Sequence, residues 1–110
     1  GGGRQLSLYD PVGSIVTLSG LWLKQRLNDH PSEAWLVEYY DIGCPHCWYF
    51  APPFQRLADS YRDSNSSEVQ VLRFGALNCA EEENAPACLE AGADRFPVLT
   101  LYGPAIPGGR

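Results

Sequence analysis

"DIGCPHCWYF", Asp41 to Phe50, sets two cysteines three residues apart among aromatics, one proline and one histidine. Such a pair is a redox couple, half of a metal site, or two buried thiols that happen to be neighbours. The flanks narrow the choice. Before it, "AWLVEYYD" (Ala34 to Asp41) is a near-continuous apolar and aromatic run, the mark of a central strand covered on both faces. After it, "WYFAPPFQRLADSYRDS" repeats apolar residues at Phe50, Phe54, Leu57 and Tyr61, a helical spacing. Pro52 and Pro53 fall inside that helix and predict a kink there. The cysteines therefore stand where a strand ends and a helix begins. In open α/β sheets that carboxyl end is where chemistry collects.

Working outward, "SIVTL" (Ser14 to Leu18) is short and β-branched and reads as a strand. Ser19 can cap a helix through "GLWLKQRLN", with Leu23 and Leu27 on one face. His30 before Pro31 ends it. "VQVLRFGALN" (Val69 to Asn78) reads as another buried strand, and "NAPACLEAG" as a short helix stopped by Gly92, with Pro86 in its first turn. "FPVLTLY" (Phe96 to Tyr102) is the last strand. The tail 103–110, "GPAIPGGR", holds two prolines and three glycines and reads as irregular. The order β-α-β-α-β-α-β implies one α/β domain over 1–110, with a mixed or parallel sheet and helices on both faces.

Composition limits the partners. Net charge is −5 with a single lysine, Lys24, which argues against nucleic acid, since phosphate binding needs a basic face. No apolar run reaches the roughly 20 residues of a membrane span. "NSS" at Asn65 to Ser67 fits the N-glycosylation pattern and lies in a polar loop. With an even set of four cysteines it points to the secretory pathway, in the endoplasmic reticulum lumen, the Golgi or outside the cell.

Cysteines at i and i+3 of a helix start can bring their sulfurs within bonding distance. The helix N-terminus favours a thiolate at Cys44, and His46 can add charge or a hydrogen bond to the same sulfur. Cys47, one turn inside, is placed to resolve mixed disulfides. Stabilising the thiolate makes the disulfide the stronger oxidant. A structural disulfide would look similar at this level. Zinc is the other rival, and His30 and His46 could serve as ligands, but Cys79 and Cys88 do not form a second close pair and a lone histidine is usually a surface residue.

"LVEYYDIGCPHCWYFAPPFQRLA" resembles the active-site segment of thioredoxin-fold domains in the protein disulfide isomerase family. "ALNCAEEENAPACLEAGADRFPVLTLY" extends the likeness, which is nearest to the N-terminal thioredoxin domain of quiescin-type sulfhydryl oxidases and covers about Leu8 to Tyr102. The resemblance implies a thiol–disulfide oxidoreductase acting on cysteines of client proteins, with Cys44 as exposed nucleophile and Cys47 as resolving thiol. It implies that Glu38 is the buried acid that moves the proton of Cys47. A carboxyl in a central strand is desolvated, so its pKa should rise toward neutrality. Pro52 matches the kink proline. Pro97 matches a cis-proline that presents the backbone of Phe96 to an extended substrate, and Cys79 and Cys88 match a second, structural disulfide. FAD is expected only in a separate domain, with no cofactor in this chain.

The sequence also departs from the family. Gly43 stands where tryptophan is usual, and Asp41 and Ile42 replace small or proline residues. The Pro-His pair resembles that of a strongly oxidising bacterial periplasmic enzyme. A complete thioredoxin fold continues past the last strand here with one more strand and a helix, which "GPAIPGGR" cannot form. "VLTLY" should then be an exposed edge, in a piece of a longer protein or one that pairs with another chain along Val98 to Tyr102. A non-catalytic peptide-binding module using Phe96 and Pro97 is the alternative reading, with a zinc-stabilised structural domain behind it.

Overall fold

The computed structural model describes residues 7–64 and 72–104. Four strands and three helices alternate: β1 (Ile15–Leu18), α1 (Gly20–Asp29), β2 (Ala34–Tyr40), α2 (Pro45–Asp63), β3 (Leu72–Asn78), α3 (Ala85–Glu90) and β4 (Val98–Tyr102). A 3-10 turn, Glu82–Asn84, leads into α3. The strands form one mixed sheet in the order β1-β3-β2-β4. β3 pairs in parallel with β1 and β2, and β4 runs antiparallel to β2.

Alternation along β2 divides its side chains between two cores. Trp35, Val37 and Tyr39 point to the layer with Leu18, Leu23, Leu77 and Cys88, where α1 and α3 pack. Tyr40 points the other way, to Tyr9, Ile15, Cys47, Phe54, Ala58 and Phe74 beneath α2. Both layers are close-packed, which is why β2 carries almost no exposed residue. Phe54 is the hub of the α2 side: its ring lies 5.3 to 6.0 Å from those of Phe50, Phe74 and Tyr9.

Local chemistry sets the helix ends. Ser19 Oγ accepts from the Trp22 amide at 3.2 Å and caps α1, as its side chain suits. α3 stops at Gly92, whose φ of 69° is in the left-handed region that glycine adopts freely. Gly20 serves a different need. A Cβ there would lie 2.7 Å from the Ala87 Cβ, so its absence lets α1 and α3 touch. α2 is a continuous helix through Pro52 and Pro53. The carbonyls that lose their amide partners belong to Trp48 and Tyr49, exposed residues that water reaches.

Several element expectations need adjustment. Leu57 is on the outer side of α2, and Ala58 takes the buried place, because the buried stripe follows Cys47, Phe54 and Ala58. β2 ends at Tyr40, since Asp41 already turns the chain. The described part of the third strand starts at Leu72; Val69 to Val71 lie outside the described residues, as do Asn65 and the tail from 105 on. Among the described residues β4 is an edge strand with one neighbour, β2. Its Leu101 is 68% exposed, and Leu99, on the same face, is also exposed.

Candidate active site

The strand–helix junction is built by a tight turn. Asp41 accepts twice: its carbonyl from the Cys44 amide at 2.8 Å, and its Oδ1 from the Gly43 amide at 2.8 Å. The loop is then tied to its neighbours. The Ile42 amide donates to Asn78 Oδ1 at 3.2 Å, and the Trp48 indole N–H donates to the Ile42 carbonyl at 2.7 Å. Asp41 thus acts as a turn-former here.

Cys44 is the N-cap of α2, its backbone extended and its side chain making no capping bond. Its carbonyl accepts from the amides of Cys47 and Trp48 at 3.1 and 3.3 Å, which starts the helix, while Pro45 loses nothing in the first turn. The two thiols are free. Cys44 is half-buried and Cys47 fully buried. Burial pushes the Cys47 thiol up to about 12, with the Asp41 backbone amide opposing and the nearby Cys44 and Glu38 adding to the rise. Cys47 is therefore a protonated thiol at neutral pH.

Phe96–Pro97 is a cis peptide. The turn before β4 brings this pair to the cysteines: the Cys44 thiol donates to the Phe96 carbonyl at 3.7 Å. Backbone and nucleophile candidate meet across 52 residues of sequence. Trp48 and Tyr49 flank the pair on α2, 57% and 79% exposed. His46 is exposed on the helix start. No hydrogen bond joins it to the Cys44 sulfur, so any effect it has on that sulfur is through charge.

Beneath the pair lies Glu38, with 0% exposure. Burial pushes its carboxyl up to about 7. One hydrogen bond pulls the other way: Tyr9 Oη donates to Oε1 at 2.5 Å. Oε2 has no partner. Tyr9 was not legible as a site residue, because it precedes the first strand and nothing local marks it.

The second pair is closed. Cys79, just past β3, is joined to Cys88 in α3, with Cα atoms 6.1 Å apart. Cys79 and Cys88 are thus unavailable as free thiolate ligands, and no three His, Cys, Asp or Glu gather into a metal-holding group among the described residues. Asn84, fully buried, braces this corner. Its Nδ2 donates to the Asn78 carbonyl at 3.0 Å, and its Oδ1 accepts from the Gly20 amide at 2.9 Å. Asn78 and Asn84 therefore link the closed pair's turn to the loop of the open one. Sequence reading missed both, since a buried asparagine is recognisable only by its partners.

A sheet of this order and sense, a C-x-x-C at the head of the helix after β2 and a cis-proline facing it define a thioredoxin-fold domain. The thioredoxin family model matches residues 15–105, and the chain belongs to that family. Sulfhydryl oxidase 1 of Gallus gallus is 34% identical over 99 residues, 90% of this chain and 13% of the relative. Sulfhydryl oxidase 2 of Homo sapiens is 35% identical over 102 residues, 93% of this chain and 14% of the relative. The chain thus spans about one seventh of the length of these relatives. Among solved structures, the J-Trx1 fragment of ERdj5 superposes with a TM-score of 0.67 at 26% identity, covering 84% of this chain and 41% of that one. The first two thioredoxin domains of Saccharomyces cerevisiae Eps1p give 0.67 at 25% identity, with 86% and 33% covered.

Proposed function

We propose that this chain is a thiol–disulfide oxidoreductase domain that forms or exchanges disulfides in client proteins through Cys44 and Cys47. The observation that carries this reading is the meeting of the half-buried Cys44 thiol with the Phe96 carbonyl beside cis-Pro97, over a buried second thiol. An extended client peptide can lie along that backbone with its own sulfur in line with Cys44. The client thiolate attacks Cys44 Sγ of the oxidised pair, and the electrons of the broken bond leave on Cys47 Sγ. A second client thiolate then displaces Cys44, which leaves the client oxidised and the domain reduced. Glu38 takes and returns the proton of Cys47, since a carboxyl near 7 is matched to proton transfer at neutral pH.

The direction we assign is oxidation. His46 sits one residue before Cys47 at the helix start, where positive charge favours the reduced, thiolate form and so raises the potential. The likeness to sulfhydryl oxidases supports the same direction and a larger protein in which a flavin domain removes the electrons. We place no cofactor in this chain, and the flavin in a separate domain. A secretory compartment, glycosylation at Asn65 and a structural role for Cys79–Cys88 belong to the same proposal.

Incubation of the oxidised domain with a reduced dithiol peptide tests it. Stoichiometric peptide oxidation is the expected result, and Cys47→Ser given the disulfide form of the same peptide should trap a mixed disulfide on Cys44. A domain that binds the peptide at Phe96 and Pro97 but exchanges no disulfide would be a binding module instead.

A further inference from the structure

The Glu38 carboxyl is fully buried, and the groups packed around it are few. From β2 comes Tyr40, and from α2 Cys47 with Cys44 beyond. β3 and β4 place Ala76 and Leu99 opposite it, neither of which titrates. Among the described residues no lysine, arginine or histidine acts on it: burial and the Tyr9 bond are what set its acidity. The Tyr40 hydroxyl is engaged elsewhere, accepting from the Leu8 amide at 3.3 Å and donating to Ser7 Oγ at 3.4 Å. Among the described residues Tyr9 alone hydrogen-bonds the carboxyl, and only at Oε1. Its ring is fixed by edge contacts with Tyr40 and Phe54, at 6.1 and 6.0 Å, and its own amide donates to Ser7 Oγ.

We propose that Tyr9 is a positioning residue for proton transfer at the redox pair: its hydroxyl holds Glu38 by Oε1 and leaves Oε2 to exchange the proton with Cys47. The proposal rests on the exchange reading above. When a client thiolate opens the Cys44–Cys47 bond, the new Cys47 thiolate takes the proton from Oε2 of neutral Glu38. The carboxylate that remains is held by the Tyr9 hydrogen bond, which does the work a cation would otherwise do. In the reverse direction Oε2 takes the proton back as Cys47 attacks Cys44. A carboxylate buried without any donor would be too costly to form, and with donors at both oxygens it would lose the site that moves the proton.

Tyr9→Phe tests this, because it keeps the ring and removes one oxygen. Glu38 is titrated by carbon NMR of its carboxyl in the reduced protein, assigned by its loss in Glu38→Gln. The rate at which the oxidised pair is opened by a dithiol peptide is followed over the same pH range. Removing a donor to the charged form raises an acid's pKa, so the Glu38 midpoint should move up by about one unit. The inflection in the rate should move with it, and Glu38→Gln should abolish that inflection. An unmoved midpoint in folded Tyr9→Phe overturns the proposal, even if the rate falls by one factor at all pH, since that is a packing effect. Should Tyr9→Phe not fold, 3-fluorotyrosine placed at Tyr9 is the second variant. As a stronger donor it should lower the midpoint, and no change would overturn the proposal. A midpoint that moves in a domain that exchanges no disulfide would refute the proposed function while leaving the Tyr9–Glu38 control of acidity standing.

Discussion

The two cysteine pairs sit at the carboxyl ends of adjacent parallel strands, Cys44 and Cys47 after β2 and Cys79 after β3, yet their surroundings differ in kind. Cys44 and Cys47 are three residues apart on one helix start, one half-buried and one buried, with a carboxyl beneath and the Phe96 carbonyl beside. Cys79 and Cys88 join a turn to a separate helix, nine residues apart, and Cys88 is packed among Leu18, Leu23 and Leu77. In the dithiol form the turn of helix that carries the first pair is already built, so its proposed opening and closing needs no new element. The second holds α3 to the sheet, so opening it releases a loop. On the proposed function, lability follows from what the sulfurs are built into, and the buried carboxyl beside one pair makes the difference chemical as well as mechanical.

The largest effect should come from Cys44→Ser, which removes the proposed nucleophile and should lower disulfide exchange by about three orders of magnitude. Cys79→Ala with Cys88→Ala should stay within about twofold in the same dithiol-peptide assay. Comparable losses in both would erase the functional distinction between the pairs.

Glu38→Gln should slow exchange and yet stabilise the fold at alkaline pH. The carboxyl rises from 4.5 to about 7 on folding, so the folded state binds more protons between those values. Glu38's own contribution to stability should then be greatest below about 4.5, fall as pH rises to about 7, and stay level above. Removing the charge should recover roughly 3 kcal/mol at most near pH 8, and little below pH 4. Denaturant midpoints at the two pH values check this. A variant that gains nothing at pH 8 would mean that Glu38 is not desolvated.

Cys79→Ala with Cys88→Ala should cost roughly 2–3 kcal/mol, from the entropy of a loop of about ten residues. In the parent, mild reductant should open Cys44–Cys47 and leave Cys79–Cys88 closed, as read by mass after alkylation. The smallest effect should be that of Trp48→Phe, which loses the indole bond to the Ile42 carbonyl. About 1 kcal/mol of stability and a modest change in Cys44 alkylation rate are expected. If Trp48→Phe instead matches Cys44→Ser in exchange, the loop and not the sulfur is limiting.

Much of the site was readable because its parts are local. The C-x-x-C spacing, the apolar run before it and the helical period after it each depend on neighbours a few residues away. The burial of Ala58 rather than Leu57 was not readable for the complementary reason: a period of apolar residues shows that a segment is helical, but which of them face inward depends on how α2 lies against the sheet. The two asparagines escaped notice because a polar residue declares its burial only through its partners, and those come from β3, α1 and the loop after β2.

By itself the sequence determined the order of elements, the helix start at the two cysteines and a carboxyl in the central strand, all consequences of backbone preference and side-chain spacing within short windows. Which of six tyrosines meets that carboxyl was decided by the tertiary structure, through a contact 29 residues long in sequence. So was the joining of Cys44 to Phe96 and of Asn78 to the active-site loop. These contacts follow from the sheet order β1-β3-β2-β4, which stacks distant segments over one strand. Local pattern specifies the pieces, whereas burial and hydrogen bonding across the sheet are properties of the closed chain and arise only when it folds.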